Sequence, residues 1–253
     1  MRDLIYYTVG YNEGYIQVLH ISIQTLRMYS SADVLVICDA SFLPKCKEIL
    51  PESILYMTVP DSTSKEAASM HKLNIFDYPD INSYDRVLFL DSDIIVHTPL
   101  DTFFAGVRRP GILYVYTERA GQHEHKNLCF SLLTYTLEDI LTFKLHNIRV
   151  FNAGCFLFVR CNAMKDHFAA IRKMIATHTG PFFYEQSFMN VYFNRLNATD
   201  RSVLTYANYR MGPLPGLDYK GFILHFAGMP GDPNNKLESM KAYYSQRLQN
   251  SSQ

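Results

Sequence analysis

The chain has 253 residues, enough for one large domain or two small ones at roughly 100–200 residues per domain. Hydrophobic residues make up 48% and charged residues 19%, which supplies a real core and excludes disorder as the main state. Twenty-four Lys and Arg balance 24 Asp and Glu, so no global positive field draws the chain to nucleic acid or an anionic membrane, and any partner has to be recognised at a specific site.

No apolar run approaches the roughly 20 residues that span a bilayer. The opening Met1-Arg2-Asp3-Leu4-Ile5-Tyr6-Tyr7 lacks the apolar stretch and small-residue cleavage site of a secretory leader. Five widely spaced cysteines without a Cys-x-x-Cys pair point to a reducing compartment. The expectation is a cytoplasmic protein with no membrane span.

Leu4 to Val9 reads as a first strand, rich in Ile, Tyr, Thr and Val. Ile16, Leu19, Ile23 and Leu26 follow at helical spacing. Val34 to Cys38 is a continuous apolar run ending at Asp39, as a strand buried on both faces requires. A short helix over Pro44 to Leu50, a strand over Ile54 to Val59 and a helix over Glu66 to Phe76 come next, then a buried strand Val87 to Leu90. Beyond lie a strand over Ile112 to Tyr116 and a polar loop over Arg119 to His125. Val150-Phe151 and Cys155 to Val159 flank an Asn-Ala-Gly segment, a tight turn or β-bulge between strand pieces. Helical spacing returns over Ala163 to Ala176 and Glu185 to Phe193. Phe222 to Phe226 is a last strand, and Lys236 to Leu248 a final amphipathic helix. The alternation predicts a single α/β domain with a Rossmann-like, mostly parallel sheet flanked by helices.

The sharpest chemical signal is Asp91-Ser92-Asp93 after Val87-Leu88-Phe89-Leu90. Two carboxylates at the C-terminal end of a buried strand stand where open α/β sheets bind ligands. Like charges held that close need a cation, or one takes a proton. Mg²⁺ or Mn²⁺ answers the need and keeps open positions for phosphate oxygens. A strand-end Asp that only caps the next turn is the plainer alternative. His225 ends an apolar strand too and would face the same crevice; an imidazole beside two carboxylates suits Mn²⁺ better than Mg²⁺.

Four segments in order resemble the retaining glycosyltransferases of family 8, whose members include glycogenin and bacterial galactosyltransferases. Thr8-Val9-x-x-Asn12-x-x-Tyr15 is similar to their nucleotide-binding opening, and Asp91-Ser92-Asp93 to their metal motif. Asn152-Ala153-Gly154 looks like their sugar-site motif, and His225-x-x-Gly228 like their C-terminal metal motif. The matches span residues 8 to 228. The resemblance implies a GT-A domain over residues 1–253, with a nucleotide-binding half over 1–100, a sugar and acceptor half over 101–248, and a frayed tail over 249–253.

It further implies Mn²⁺, or else Mg²⁺, held by Asp91, Asp93 and His225 against the diphosphate of a UDP-sugar. Thr8, Val9, Asn12 and Tyr15 would take the nucleotide; Tyr15 equally reads as a packing residue of the first helix. Lys72 looks like the family's basic donor contact, or is a solvated helix lysine. Ser92, Asn152, Ala153, Gly154 and Gly228 complete the donor site. Glu185-Gln186 occupies the place of the family's Asp-Gln and supplies the nucleophile or the stabiliser of the cationic sugar; Glu185 is one methylene longer than the usual Asp. The family's diphosphate lysine falls on Gly231, so Lys236 folding back, or backbone N–H groups of the glycine loop, has to substitute. The acceptor, glycan or protein, would meet the segment Arg108 to Arg149. A catalytically silent nucleotide-sugar binder and an Asp-nucleophile phosphatase are the competing readings.

Overall fold

The computed structural model describes residues 1–117, 138, 141, 150–177, 185–204, 208–210, 221–227 and 233–250. From the N-terminus, β1 (Asp3–Val9), α1 (Gly14–Arg27), β2 (Asp33–Asp39), α2 (Leu43–Ile49), β3 (Leu55–Val59) and α3 (Lys65–Ser69) precede β4 (Arg86–Leu90). Then come β5 (Ile94–Val96), α4 (Asp101–Gly106), β6 (Leu113–Thr117), β7 (Phe151–Val159), α5 (Asn162–Ala176) and α6 (Glu185–Arg195). The short strands β8 (Thr199–Asp200), β9 (Asn208–Arg210) and β10 (Ile223–His225) lead to α7 (Pro233–Asn250).

The main sheet runs β3-β2-β1-β4-β7-β6-β8. The first four strands are mutually parallel, and β7 lies antiparallel to both β4 and β6. Strand side chains alternate between faces, and each face meets its own core. Ile5, Tyr7, Val34, Val36, Leu88 and Leu90 pack with the α1 side. Leu4, Tyr6, Leu35, Ile37, Val87 and Phe89 pack with the α5 and α6 side. Continuous apolar runs are therefore what these central strands require, because both faces are covered.

Strand order reverses between β1 and β4: β2 and β3 continue on one side, β7 and β6 on the other. That switch point opens a crevice beyond the carboxyl ends of β1 and β4. A second sheet, β5-β10-β9, begins directly after the acid pair that follows β4. Its register sets His225 opposite Ile94, and Phe226 N donates to Asp93 O at 3.0 Å. The apolar Ile-Ile-Val and Ile-Leu-His triplets thus pin a residue from far along the chain beside the acid pair.

One element differs from its sequence expectation, and another resolves to the second of its two readings. The helix over Glu66 to Phe76 stops at Ser69, and Met70–Asp77 winds as a tighter 3₁₀ helix. His71, Lys72 and Leu73 are all buried in succession, so this stretch is enclosed on more than one side. The Asn-Ala-Gly segment is a bulge rather than a turn. Phe151–Val159 is one continuous strand, and between Val115↔Phe156 and Tyr116↔Asn152 residues 153–155 have no counterpart in β6. Those residues swing toward β4 instead, where Gly154 O accepts Asp91 N at 2.7 Å. The polar loop Arg119 to His125 and the last residues of the tail, 251–253, lie outside the described residues. No helix among the described residues is long and apolar enough to cross a membrane.

Candidate active site

Asp91 and Asp93 leave β4 as the chain exits the sheet, and β10 delivers His225 between them. His225 Nε2 lies 3.0 Å from Asp93 Oδ1 and 3.5 Å from Asp91 Oδ2, and one ligand atom from each of the three residues falls within 4.8 Å of the others. Cis ligands of an octahedral dication, at bonds of about 2.1 Å, stand about 3 Å apart. Two carboxylates and an imidazole at these separations fit a divalent ion of the Mn²⁺ type. Gly154 completes the fit. A Cβ there would stand 2.4 Å from His225 Cε1 and 2.5 Å from Asp91 Oδ2, so only glycine lets the three groups converge.

Two lysines balance the acids. Lys72 is 4% exposed, which rules out the solvated helix lysine. Its Nζ lies 2.6 Å from Glu185 Oε1, 3.4 Å from Asp91 Oδ1 and 3.2 Å from Ala153 O, above the Phe89 ring. Burial opposes the Lys72 charge, but Asp91 and Glu185 outweigh it and raise its pKa. Lys236, from the first turn of α7, pairs with Asp93 Oδ2 and sits 5.9 Å from the centre of the Tyr15 ring. Burial works against the Asp93 carboxylate too, yet His225 and Lys236 hold it well below the usual range. Asp91 goes the other way: burial raises it, and Lys72 and His225 only partly compensate.

A cavity of about 480 Å³ opens in front of these groups. Thr8, Val9, Tyr15, Lys72, Asp91, Ser92, Asp93, Glu185, Gln186 and Lys236 line it, so most of the expected donor residues share one wall. Glu185 is 5% exposed, and its Oε2 has no hydrogen-bond partner among the described residues. Gln186 Oε1 accepts Ala153 N at 3.0 Å. Asn190 clamps the same strand, accepting Phe151 N at 2.8 Å and donating to Phe151 O at 2.9 Å. α6 is thereby stitched to β7, and Glu185 is aimed by that seam.

Other expected residues take supporting places. Asn152 Oδ1 accepts Gly154 N at 2.7 Å and, with Ala153 and Gly154, lies behind the cavity wall. Asn12 Oδ1 accepts Gly14 N at 2.8 Å, which closes the entry to α1, and Asn12 is exposed and not among the residues that line the cavity. Tyr15 lines the cavity and also packs against the core. Gly228 and Gly231 lie outside the described residues.

Sequence reasoning missed a buried network at the loop that follows β1. Asp39, at the end of β2, accepts Tyr11 N at 2.7 Å and meets Ser62 Oγ at 2.9 Å and His71 Nε2 at 2.8 Å. Tyr11 holds a positive φ of 65°, uncommon for a non-glycine residue, and the Asp39 contact fixes it. Burial raises the Asp39 pKa, but these hydrogen bonds prevail and lower it. An Asp closing an apolar strand was the available signal. Lys65, Ser69 and Ser187 in the cavity wall carried none.

No protein-family profile and no curated protein sequence matches the chain. Solved structures do. The galactosyltransferase LgtC, in complex with donor and acceptor sugar analogues, superposes with a TM-score of 0.62 at 11% identity, over 94% of this chain and 95% of that one. An active-site mutant of LgtC gives the same figures. WbbM, a bifunctional glycosyltransferase in its apo form, superposes with a TM-score of 0.59 at 15% identity, over 94% of this chain and 49% of that one. This chain therefore spans about half the length of WbbM. At these identities the likeness shows the fold alone: a single α/β domain with a mostly parallel sheet flanked by helices, as in these structures.

Proposed function

We propose that this protein is a metal-dependent retaining glycosyltransferase of the family 8 kind, moving a hexose or related sugar from a UDP-sugar to a hydroxyl of a glycan or protein acceptor. The observation that carries the reading is the Asp91–Asp93–His225 constellation at the sheet's switch point, opening onto a cavity of nucleotide-sugar size. The GT-A architecture, shared with a galactosyltransferase solved in complex with donor and acceptor sugar analogues, supports it. On this reading residues 1–100 hold the nucleotide and residues 101–248 the sugar and acceptor.

Asp91, Asp93 and His225 hold the divalent ion, Mn²⁺ by preference and Mg²⁺ as the substitute. When bound, the ion neutralises charge that grows on the departing diphosphate. Thr8, Val9 and Tyr15 form the base and ribose wall, and Ser92 the floor. Lys236 supplies the cation that Gly231 lacks. Lys72 holds Glu185 and Asp91 apart as their shared counter-charge. Glu185, in the cavity lining, serves the sugar as nucleophile or as counter-charge to a cationic anomeric carbon, and Gln186 stands beside it, anchored by Ala153 N. In same-face transfer the acceptor's proton passes to the leaving phosphate; in the covalent route Glu185 carries the sugar between two inversions. A slow fluorinated donor separates them, because only the second labels Glu185.

Replacing Asp93→Ala tests the reading. With a native circular-dichroism spectrum, the variant loses UDP-sugar hydrolysis and transfer together. Wild-type turnover in Mn²⁺ contradicts the metal assignment. Donor binding without hydrolysis in the wild type identifies a silent binder instead.

A further inference from the structure

Lys236 reaches the acid pair because α7 is fastened to the body of the domain. Lys236, Met240 and Tyr243 recur at i, i+4 and i+7, one helix face. Met240 is fully buried with Val18 and Ile21 of α1 and with Ile95, Leu224 and Phe226, and Leu237 and Tyr243 pack on the same cluster. The ammonium is thus delivered by a packed helix to one oxygen of Asp93, while His225 takes the other.

We infer that Lys236 is an electrostatic interlock, which keeps the divalent ion weakly held until a diphosphate draws the ammonium off Asp93, so that ion and nucleotide bind as a linked pair. The inference rests on the donor-site reading above and adds an order of affinities to it. Asp91, Asp93 and Glu185 bring three formal negative charges to the site, and Lys72 and Lys236 two positive ones. A dication on Asp93 Oδ1 would stand a carboxylate's width from the ammonium on Oδ2. One shared carboxylate cannot neutralise both, and burial leaves little water to screen them. A diphosphate entering the cavity offers the ammonium new oxygens, and the repulsion becomes a bridge between ligand and helix. Lys236 is long and unbranched, and it lies along the Tyr15 ring at the cavity wall, so the transfer needs only side-chain rotation.

The test is Mn²⁺ binding to the full chain, read by electron paramagnetic resonance with and without UDP. In the wild type, UDP tightens Mn²⁺ binding at least about tenfold, the scale of one charge-assisted hydrogen bond, and Mn²⁺ tightens UDP by the same factor. Lys236→Gln binds Mn²⁺ about tenfold tighter than wild type without nucleotide and loses most of the UDP effect; Lys236→Arg keeps the wild-type pattern. Independent binding of UDP and Mn²⁺ in the wild type overturns the interlock without any variant, and leaves the donor site standing. Equal nucleotide-free Mn²⁺ affinity in folded Lys236→Gln and wild type overturns it as well. No Mn²⁺ binding by any form, even with UDP, overturns the interlock and the donor-site reading together.

Discussion

Gly154 and His225 are in such close approach that a single methyl group on the glycine would stand 2.4 Å from the imidazole carbon. The bulge in β7 creates this approach, since residues 153–155 leave the β6 ladder and lean on β4. Gly154→Ala should displace the His225 ring or Asp91. The expected outcome is a loss of at least about tenfold in Mn²⁺ affinity, with a stability cost of about 1–3 kcal/mol from overpacking. Calorimetric Mn²⁺ titration alongside urea unfolding measures both; unchanged Mn²⁺ affinity contradicts the crowding.

Lys72 and Glu185 form a buried ion pair at 2.6 Å, with both side chains nearly excluded from water. Removing one partner of such a pair strands the other. Lys72→Met should cost about 3–5 kcal/mol, because Glu185 and Asp91 both lose their counter-charge. Lys72→Met combined with Glu185→Gln should cost less than the two single changes added together. Additive losses in urea unfolding would show that the pair is not coupled.

Asp39 supplies a pH dependence of stability. Its folded pKa is lowered, since the Tyr11, His71 and Ser62 contacts overcome burial. A depressed carboxylate contributes stability that is fully present above its unfolded value, near pH 4, and is lost as pH falls toward the folded value. Asp39→Asn should therefore be less stable than wild type at pH 7, with the gap narrowing as pH falls below about 4. Chemical unfolding from pH 7 into the acid limb checks it; a gap that does not narrow below about pH 4 assigns the loss to packing rather than to charge.

The Asn190 clamp on Phe151 closes two backbone groups of β7 with one carboxamide. Asn190→Ala should cost about 1–3 kcal/mol, since it leaves the buried Phe151 N–H unpaired. Because the same helix carries Glu185 and Gln186, turnover should fall further than donor affinity. A reduced kcat at unchanged KM for the donor is the expected signature; an equal loss in both points to general loosening of the cavity.

Much of the sheet was legible because its central strands are covered on both faces and so read as unbroken apolar runs: Val34 to Cys38 and Val87 to Leu90 are within a residue of their observed limits. The acid pair was legible for a related reason, as charge that ends such a run has to leave the sheet. Two things were hidden, and the choice between turn and bulge at Gly154 stayed open. The 3₁₀ winding of Met70–Asp77 follows from tertiary pulls on His71 and Lys72, not from local spacing. The bulge at Gly154 depends on β6 as much as on its own sequence. The strands β8 and β9 have two and three residues, too few for any period to register. Lys236 shows the intermediate case: the missing cation at Gly231 signalled that a substitute was needed, while only the packing of Met240 on α1 shows how it arrives.

The most direct test is anomalous diffraction from crystals grown with Mn²⁺ and UDP. One manganese peak should lie about 2 Å from a carboxylate oxygen of Asp91, a carboxylate oxygen of Asp93 and Nε2 of His225, with diphosphate oxygens completing its shell. UDP bound in the cavity with no manganese at these three side chains would contradict the assignment.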